Sequence, residues 1–126
     1  MIALNRATLM GYLGADPDTR YTRTETAVTN FSLATTENWT DKQGEKQSRT
    51  EWHRIVVWGK LAEICQEYLT KGSPVYVEGR IQTNEWQDSE GNDKQTKEII
   101  ANKVLHLRTG QQTDSEPPVQ QDDIPF

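Results

Sequence analysis

The sequence predicts an all-β fold with a single helix, in which three strands precede the helix and two follow it. Two observations carry this prediction. On both sides of the helix, apolar residues alternate with polar ones, which is the period of a half-buried strand. Over residues 60–71 the period changes to that of an amphipathic helix, with apolar residues at Leu61, Ile64, Cys65, Tyr68 and Leu69. Gly72 then supplies a stop.

Short polar turns separate the strands that precede the helix. Residues 5–14 predict the first strand, in which Gly11 indicates a bend or a bulge. A polar connection or hairpin at residues 19–26 leads to the second strand, residues 27–36. A hairpin turn with glycine at its tip then leads into the third strand, which ends at Trp58.

Two further strands follow the helix. Residues 75–81 alternate again and predict the fourth strand, and residues 95–107 predict the fifth. A very polar excursion separates the two at residues 87–94. This order of elements is that of an OB-fold, a five-stranded Greek-key barrel whose middle strands and flanking loops bind oligonucleotides.

The third strand combines indoles with a guanidinium group. Strand periodicity puts on one of its faces Thr50, Trp52, Arg54, Val56 and Trp58. The opposite face carries Glu51, His53, Ile55 and Val57. Indole and guanidinium planes can stack on unpaired bases, and the guanidinium charge can hold a phosphate. The alternative is that this face is an aromatic interior, in which case Arg54 would have to be buried too.

The other two tryptophans belong to the predicted loops. Trp39 lies at the base of the loop between the second and third strands, and Trp86 lies in the loop between the fourth and fifth. In an OB-fold all four indoles therefore fall on the binding side. The basic residues expected to follow the phosphates are Arg54, Lys60, Lys71 and Arg6, with Arg20, Lys42 and Arg49 as further candidates.

Composition narrows the function classes. Residues 109–126 hold four acidic and no basic residues, so residues 1–108 hold 14 basic against 15 acidic residues and carry −1 of the total charge of −5. A nearly neutral body can still present one basic face. The sequence has no metal-ligand spacing, phosphate-binding glycine loop or nucleophile motif, so we expect no metal, no cofactor and no enzymatic activity. The single cysteine and the lack of a long apolar stretch predict a cytoplasmic protein outside the membrane.

The C-terminal segment predicts a second kind of interaction. We expect residues 1–108 to form the folded domain and residues 109–126 to be disordered, with a flexible linker up to residue 121. The chain ends in an acidic tip with an exposed aliphatic and an aromatic residue: Asp122, Asp123, Ile124, Pro125 and Phe126. Such a peptide suits an apolar partner pocket with a basic rim. The alternative is an acidic tail that only improves solubility.

Several motifs together resemble the bacterial single-stranded DNA-binding proteins of replication and repair. They are Leu13-Gly14-x-Asp16-Pro17, Ala34-Thr35 followed by Trp39, Thr50-Glu51-Trp52-His53-Arg54, Gly59-Lys60-Leu61-Ala62-Glu63, Tyr68-Leu69-x-Lys71-Gly72, Val75-Tyr76-Val77-Glu78-Gly79 and the acidic tip. Each motif is weak alone, but the set is specific and runs over nearly the whole chain.

The resemblance implies a homotetramer of OB-folds that wraps single-stranded DNA without sequence preference. It further implies that Trp39, Trp52 and Trp86 stack on bases, that Trp58 occupies a position usually filled by phenylalanine, and that the tip recruits replication and repair proteins. It also implies that His53 lies in the subunit interface. From the residues alone, a hydrogen-bonded core histidine is the favoured interpretation of His53.

The chain departs from the family pattern near Trp86, where Asn84-Glu85 replaces the usual basic residues, and in its linker of about a dozen residues, which spans roughly 20 Å. Two other functions stay open. An OB-fold dimer could act mainly as a protein-interaction module in replication restart, or the chain could be an RNA chaperone of the cold-shock type. The helix before the fourth strand and the acidic tip disfavour the chaperone.

Overall fold

The structure, a computed structural model, describes residues 1–107 and has the predicted OB-fold, a closed five-stranded barrel with one helix. Its elements, in chain order, are β1 (Ala7–Leu13), β2 (Asp18–Tyr21), β3 (Ala27–Thr40), β4 (Lys46–Trp58), α1 (Lys60–Tyr68), β5 (Pro74–Gln87) and β6 (Asp93–His106). The predicted linker at residues 109–121 lies outside the described residues.

The barrel closes because β1 pairs with two strands. Around the barrel the order is β1-β5-β6-β4-β3, and β1 returns to β3 by pairing Tyr12 with Ala34. Gly11 lies immediately before this contact, and a Cβ at this residue would be 3.0 Å from the carbonyl carbon of Ala34. Glycine at this position has a physical reason, since a side chain would prevent β1 from coming this close to β3. A bulge is not present at Gly11, because β1 pairs with β5 in continuous register through this residue, and the register shift of the β5–β6 pair lies between Glu78 and Gly79. Only the β4–β6 pair is parallel within the described sheet.

Two features of the strands differ from the sequence-based expectation. Residues 19–26, predicted as a polar connection or hairpin, belong to a hairpin in which the short strand β2 pairs with β3, so α1 follows the fourth strand rather than the third. In addition, β3 and β5 run further than predicted, to Thr40 and to Gln87, and β4 begins at Lys46, directly after the turn. These extensions are exposed on both faces, so they carry no apolar alternation that the sequence could reveal.

The helix packs on the barrel through small residues. The hydroxyl of Thr29 on β3 donates a hydrogen bond of 2.8 Å to the carbonyl of Ala62. The helix ends at Tyr68, three residues before the predicted end, because Leu69 is already extended and buried in the core. Tyr68, predicted on the apolar face, is exposed. Cys65, on the apolar face of the predicted helix, is fully buried, and burial raises the pKa of its thiol to about 12.

The core is aliphatic apart from Phe31 and Cys65. Its largest fully buried side chains are Leu33, Ile55, Leu69, Val57, Val75, Val77 and Val104. Within the described part of the chain, no group of three or more histidine, cysteine, aspartate or glutamate residues is placed to hold a metal ion. No helix between residues 1 and 107 is long and apolar enough to cross a membrane.

Candidate nucleic-acid interface

All four tryptophans present their rings to solvent. The exposed fractions are 46% for Trp39, 59% for Trp52, 50% for Trp58 and 51% for Trp86. None of them belongs to the core of the barrel. The alternative of an aromatic interior is therefore wrong for the single chain, and large flat rings are available on its surface.

From Trp52 to Trp58, the predicted division of β4 into two faces holds, with one exception. Ile55 and Val57 are fully buried and His53 is half-buried, whereas Trp52 and Arg54 are exposed. The exception is Val56, which was predicted on the exposed face and is only 5% exposed. The reason is its place in the sheet, because at Val56 the strand β4 lies between β3 and β6 and has a neighbour on each side.

An ion pair fixes Arg54 beside Trp52. The Nε of Arg54 donates to the Oε2 of Glu98 at 3.0 Å. The side chain of Glu98, on β6, is only 9% exposed, whereas that of Arg54 is 54% exposed. With Nε bound to the buried carboxylate, the outer Nη groups of Arg54 are the donors that can face a phosphate.

Two open clefts meet at Trp52 and Arg54. The first, about 350 Å³, lies toward the turn after β1 and is lined by Ala15, Asp16, Asn30, Ser32, Trp52 and Arg54. The second, about 310 Å³, lies toward β5 and β6 and is lined by Glu51, Trp52, Arg54, Ile81, Lys97 and Glu98. An extended ligand that crosses from one cleft to the other must pass the indole and the guanidinium group.

The long extensions of the strands form two β-ribbons, one from β3 and β4 and one from β5 and β6. Each ribbon ends in a turn of the same type. In the β3–β4 ribbon, Oδ1 of Asp41 accepts hydrogen bonds of 2.9 Å from the amides of Gln43 and Glu45. In the β5–β6 ribbon, Oδ1 of Asp88 accepts bonds of 2.9 Å from the amides of the residues two and four further on. These bonds, first of all from the amides of Glu45 and Asn92, lower the pKa of both carboxyl groups.

Each ribbon carries a tryptophan at the same place. Trp39 and Trp86 stand two residues before the aspartate of the turn, so the pattern Trp-x-Asp-x-x-Gly occurs twice. Its glycines, Gly44 and Gly91, have φ values of 82° and 84°, which other residues rarely adopt. Both turns therefore hold an indole near the end of a ribbon in the same local geometry.

The remaining predicted basic residues are dispersed. Lys60 begins α1 and Lys71 follows it, and both are exposed. Arg6 forms an ion pair with Glu78 at 3.3 Å and borders a separate cleft beside β5. The further candidates lie on β2, at the β3–β4 turn and on β4: Arg20 pairs with Asp18, and Arg49 with Glu51, while Lys42 is in the turn. Of the predicted basic residues, only Arg54 is brought into contact with the Trp52 clefts.

His53 has an internal hydrogen-bond partner. Its Nε2 lies 2.9 Å from Oγ1 of Thr35 on the neighbouring strand. This contact agrees with the interpretation from the residues alone, and a subunit interface at His53 stays a prediction. The predicted partner-binding tip at residues 122–126 lies outside the described residues.

Sequence reasoning missed two lysines near the indoles. Lys94 stands directly opposite Trp86 in the β5–β6 ribbon, where it also lies 3.9 Å from Asp88. Lys97 lines the second cleft beside Trp52. The signal that could have found Lys94 is the turn itself, because a turn fixed at Asp88 sets the register of the whole ribbon.

Both the sequence and the structure of this chain are similar to known proteins. The sequence model of the single-strand binding protein family matches residues 4–107. A solved structure of a Plasmodium falciparum SSB complex with ssDNA matches with a TM-score of 0.80 and 36% sequence identity. The match covers 86% of this chain and 98% of that chain.

Proposed function

The chain belongs to the single-strand binding protein family, and from this we propose that it binds single-stranded DNA without sequence preference and without catalysing a reaction. The observation that carries the proposal is the exposed Trp52 beside Arg54, with an open cleft on either side. A base that leaves its own stack can restack on an indole, which stabilises the complex by about 1–3 kcal/mol per base. Every base has a π face, so the mode tolerates any sequence, and the paired bases of a duplex are hidden.

The proposed contacts divide by chemistry. The residues that stack on bases are Trp39, Trp52, Trp58 and Trp86. The residues that approach phosphates are Arg54, Lys60, Lys71 and Arg6. We add Lys94 to the second set, because its place opposite Trp86 offsets the lack of basic residues at Asn84-Glu85.

The proposed assembly is a homotetramer. Its support is the outer surface of β1, where Met10 and Tyr12 are 61% and 58% exposed and Met10 stands opposite Tyr76 of β5. An apolar strand surface of this kind is typical of a face that another subunit covers. His53 is proposed to contribute to a subunit interface, through its ring or through the Thr35 contact that fixes the ring.

We assign DNA binding and partner recruitment to different parts of the chain. Residues 1–108 are proposed to be the DNA-binding domain, and residues 109–126 are proposed to supply a linker and the acidic tip. In the cytoplasm, on the nucleoid, the domain protects single-stranded DNA during replication, recombination and repair. The tip, from Asp122 to Phe126, recruits the proteins that act on that DNA.

The binding proposal is tested with oligo(dT) of increasing length at two salt concentrations. We expect tryptophan fluorescence to be quenched and the stoichiometry to reach about 16–64 nucleotides per tetramer, from 4–16 for each fold. Affinity should fall with salt, with a slope of about −0.7 per phosphate contact. The tetramer mass is measured by light scattering. A duplex of equal length is the control, and equal affinity for the duplex, or no quenching by oligo(dT), would contradict the proposal.

The recruitment proposal is tested by deleting residues 122–126. The truncated protein should lose its complex with purified replication and repair proteins, because the apolar and charged groups of the tip are gone. Its affinity for oligo(dT) should stay the same or rise, since the truncation removes an acidic segment that would compete with DNA for the lysine and arginine side chains. The variant Phe126→Ala is the milder control. A large loss of DNA affinity on truncation would show that the tip is part of the DNA site instead.

A further inference from the structure

The turn after β1 lies against the ring of Trp52. A Cβ added at Gly14 would stand 2.8 Å from Cη2 of Trp52, nearer still to Cζ3 of the same ring, and 3.1 Å from Oγ of Ser32. Carbon atoms in favourable contact are about 3.5–4.0 Å apart. No side chain therefore fits between the Gly14 backbone and the six-membered ring of the indole.

The backbone at this turn is tied in place. The N–H of Gly14 donates to the carbonyl of Ser32 at 3.0 Å, and the carboxylate of Asp16 accepts from the N–H of Lys71 at 2.8 Å. The contacting atoms of Trp52, by contrast, lie at the far end of a side chain that is more than half exposed. A larger residue at position 14 would therefore displace the ring and leave the backbone where it is.

The neighbouring residues on β3 leave a path for the ring. Ala34 stands opposite Trp52 and Ser32 stands opposite Arg54, and both are small. The indole extends from β4 across these residues to the turn after β1, where its ring lies against Gly14. Unlike Gly44 and Gly72, Gly14 does not have a positive φ, so alanine is permitted by the backbone and would act through its methyl group alone.

We propose that Gly14 is a positioning residue for Trp52: its bare backbone is the seat that holds the indole ready to receive a base. This inference rests on the proposed function, because the orientation of the ring matters for binding only if a base stacks on it. A ring that is oriented in advance loses less conformational freedom when DNA binds, and this raises affinity without any new contact.

The test is a cycle of four proteins: wild type, Gly14→Ala, Trp52→Ala and the double variant. Binding of end-labelled oligo(dT) is measured by anisotropy. Gly14→Ala should weaken binding about threefold or more, and by no more than the loss caused by Trp52→Ala. In the Trp52→Ala background the same methyl group should have no further effect, because the ring it displaces is absent. Urea unfolding should show the fold intact in all four proteins.

A measurement without DNA separates this inference from the proposed function. Acrylamide quenching and near-ultraviolet circular dichroism are compared for wild type, Gly14→Ala, Trp52→Phe and the combination of both changes. Gly14→Ala should change the signal that depends on Trp52, and should have little effect once Trp52 is phenylalanine. If wild type fails to bind oligo(dT), the proposed function is wrong, and these spectra still decide whether Gly14 seats the ring.

Three results would overturn the inference. One is unchanged spectra and affinity in Gly14→Ala. Another is an equal loss of affinity from Gly14→Ala with and without Trp52, which would assign Gly14 to a direct role in DNA binding. The third concerns folding: if Gly14→Ala unfolds the protein, Trp52→Phe, which lacks the contacting ring atoms, should restore the fold, and equal unfolding in both backgrounds would rule out the seat.

Discussion

Replacing Trp52 by alanine is expected to weaken the binding of oligo(dT) by about 5- to 150-fold, the equivalent of about 1–3 kcal/mol for one stacked base. Trp52 is the most exposed of the four indoles and the only one that lines both clefts on the β4 face. A strand that follows these clefts must pass over it. Stability should change little, because the ring is more than half exposed and lies outside the core cluster.

This loss is measured by anisotropy of a labelled oligonucleotide, since Trp52→Ala removes part of the intrinsic fluorescence signal. Trp52→Phe is the matched control, because it keeps an aromatic ring with a smaller stacking surface. We expect its affinity to fall between those of wild type and Trp52→Ala. If all three proteins bind oligo(dT) equally well, the β4 face is not where bases stack, and the site must be sought on the ribbons that carry Trp39 and Trp86.

Replacing Arg54 by alanine is expected to lower both stability and affinity, for two separate reasons. The free energy of unfolding should fall by about 1–3 kcal/mol, because the buried carboxylate of Glu98 loses its partner. The loss in the free energy of unfolding should not exceed this range, because Arg54 is half exposed and water can reach the carboxylate of Glu98 once the arginine is gone. Affinity should fall because one phosphate contact is lost, which reduces the salt slope by about 0.7.

The double variant Arg54→Ala/Glu98→Gln separates the two effects. Neutralising Glu98 removes the unpaired charge, so urea unfolding at fixed protein concentration should show most of the stability restored. The affinity for oligo(dT) should stay low, because the guanidinium group is still missing. Glu98→Gln alone is the control for a change at Glu98. Recovery of DNA affinity in the double variant would show that Arg54 supports the fold and does not itself contact phosphate.

The barrel could be predicted because its elements carry periodic patterns. The alternation in β4 separates the buried Ile55 and Val57 from the exposed Trp52, and helical spacing locates α1. The strand β2 and the full lengths of the ribbons could not be found in the same way. Most of their residues are exposed, and these strands are held by pairing with a neighbour, which leaves no hydrophobic period in the sequence.

At the site around Trp52, the sequence could reveal only the side chains that share the strand β4. Trp52 and Arg54 are two residues apart, so periodicity alone places them on one face. Their supports come from distant parts of the chain: Glu98 is 44 residues from Arg54, and Gly14 reaches Trp52 through the closure of the barrel. Periodicity misplaces Val56, which shares a face with Trp52 and Arg54 but is buried. Its burial depends on the strands β3 and β6 that flank it.

The burial of Cys65 also determines how the protein responds to oxidants. Its thiol, on the buried face of α1, is enclosed in the core and stays protonated, so peroxide in the surrounding water meets neither an accessible sulfur nor a thiolate there. In the single chain both methionines, Met1 and Met10, are on the surface, and their thioethers can be converted to sulfoxides. Oxidation of sulfur in the single chain therefore occurs outside the barrel, where at Met10 it adds polarity to the surface of β1 that is proposed as a subunit interface, and it leaves the hydrophobic interior unchanged.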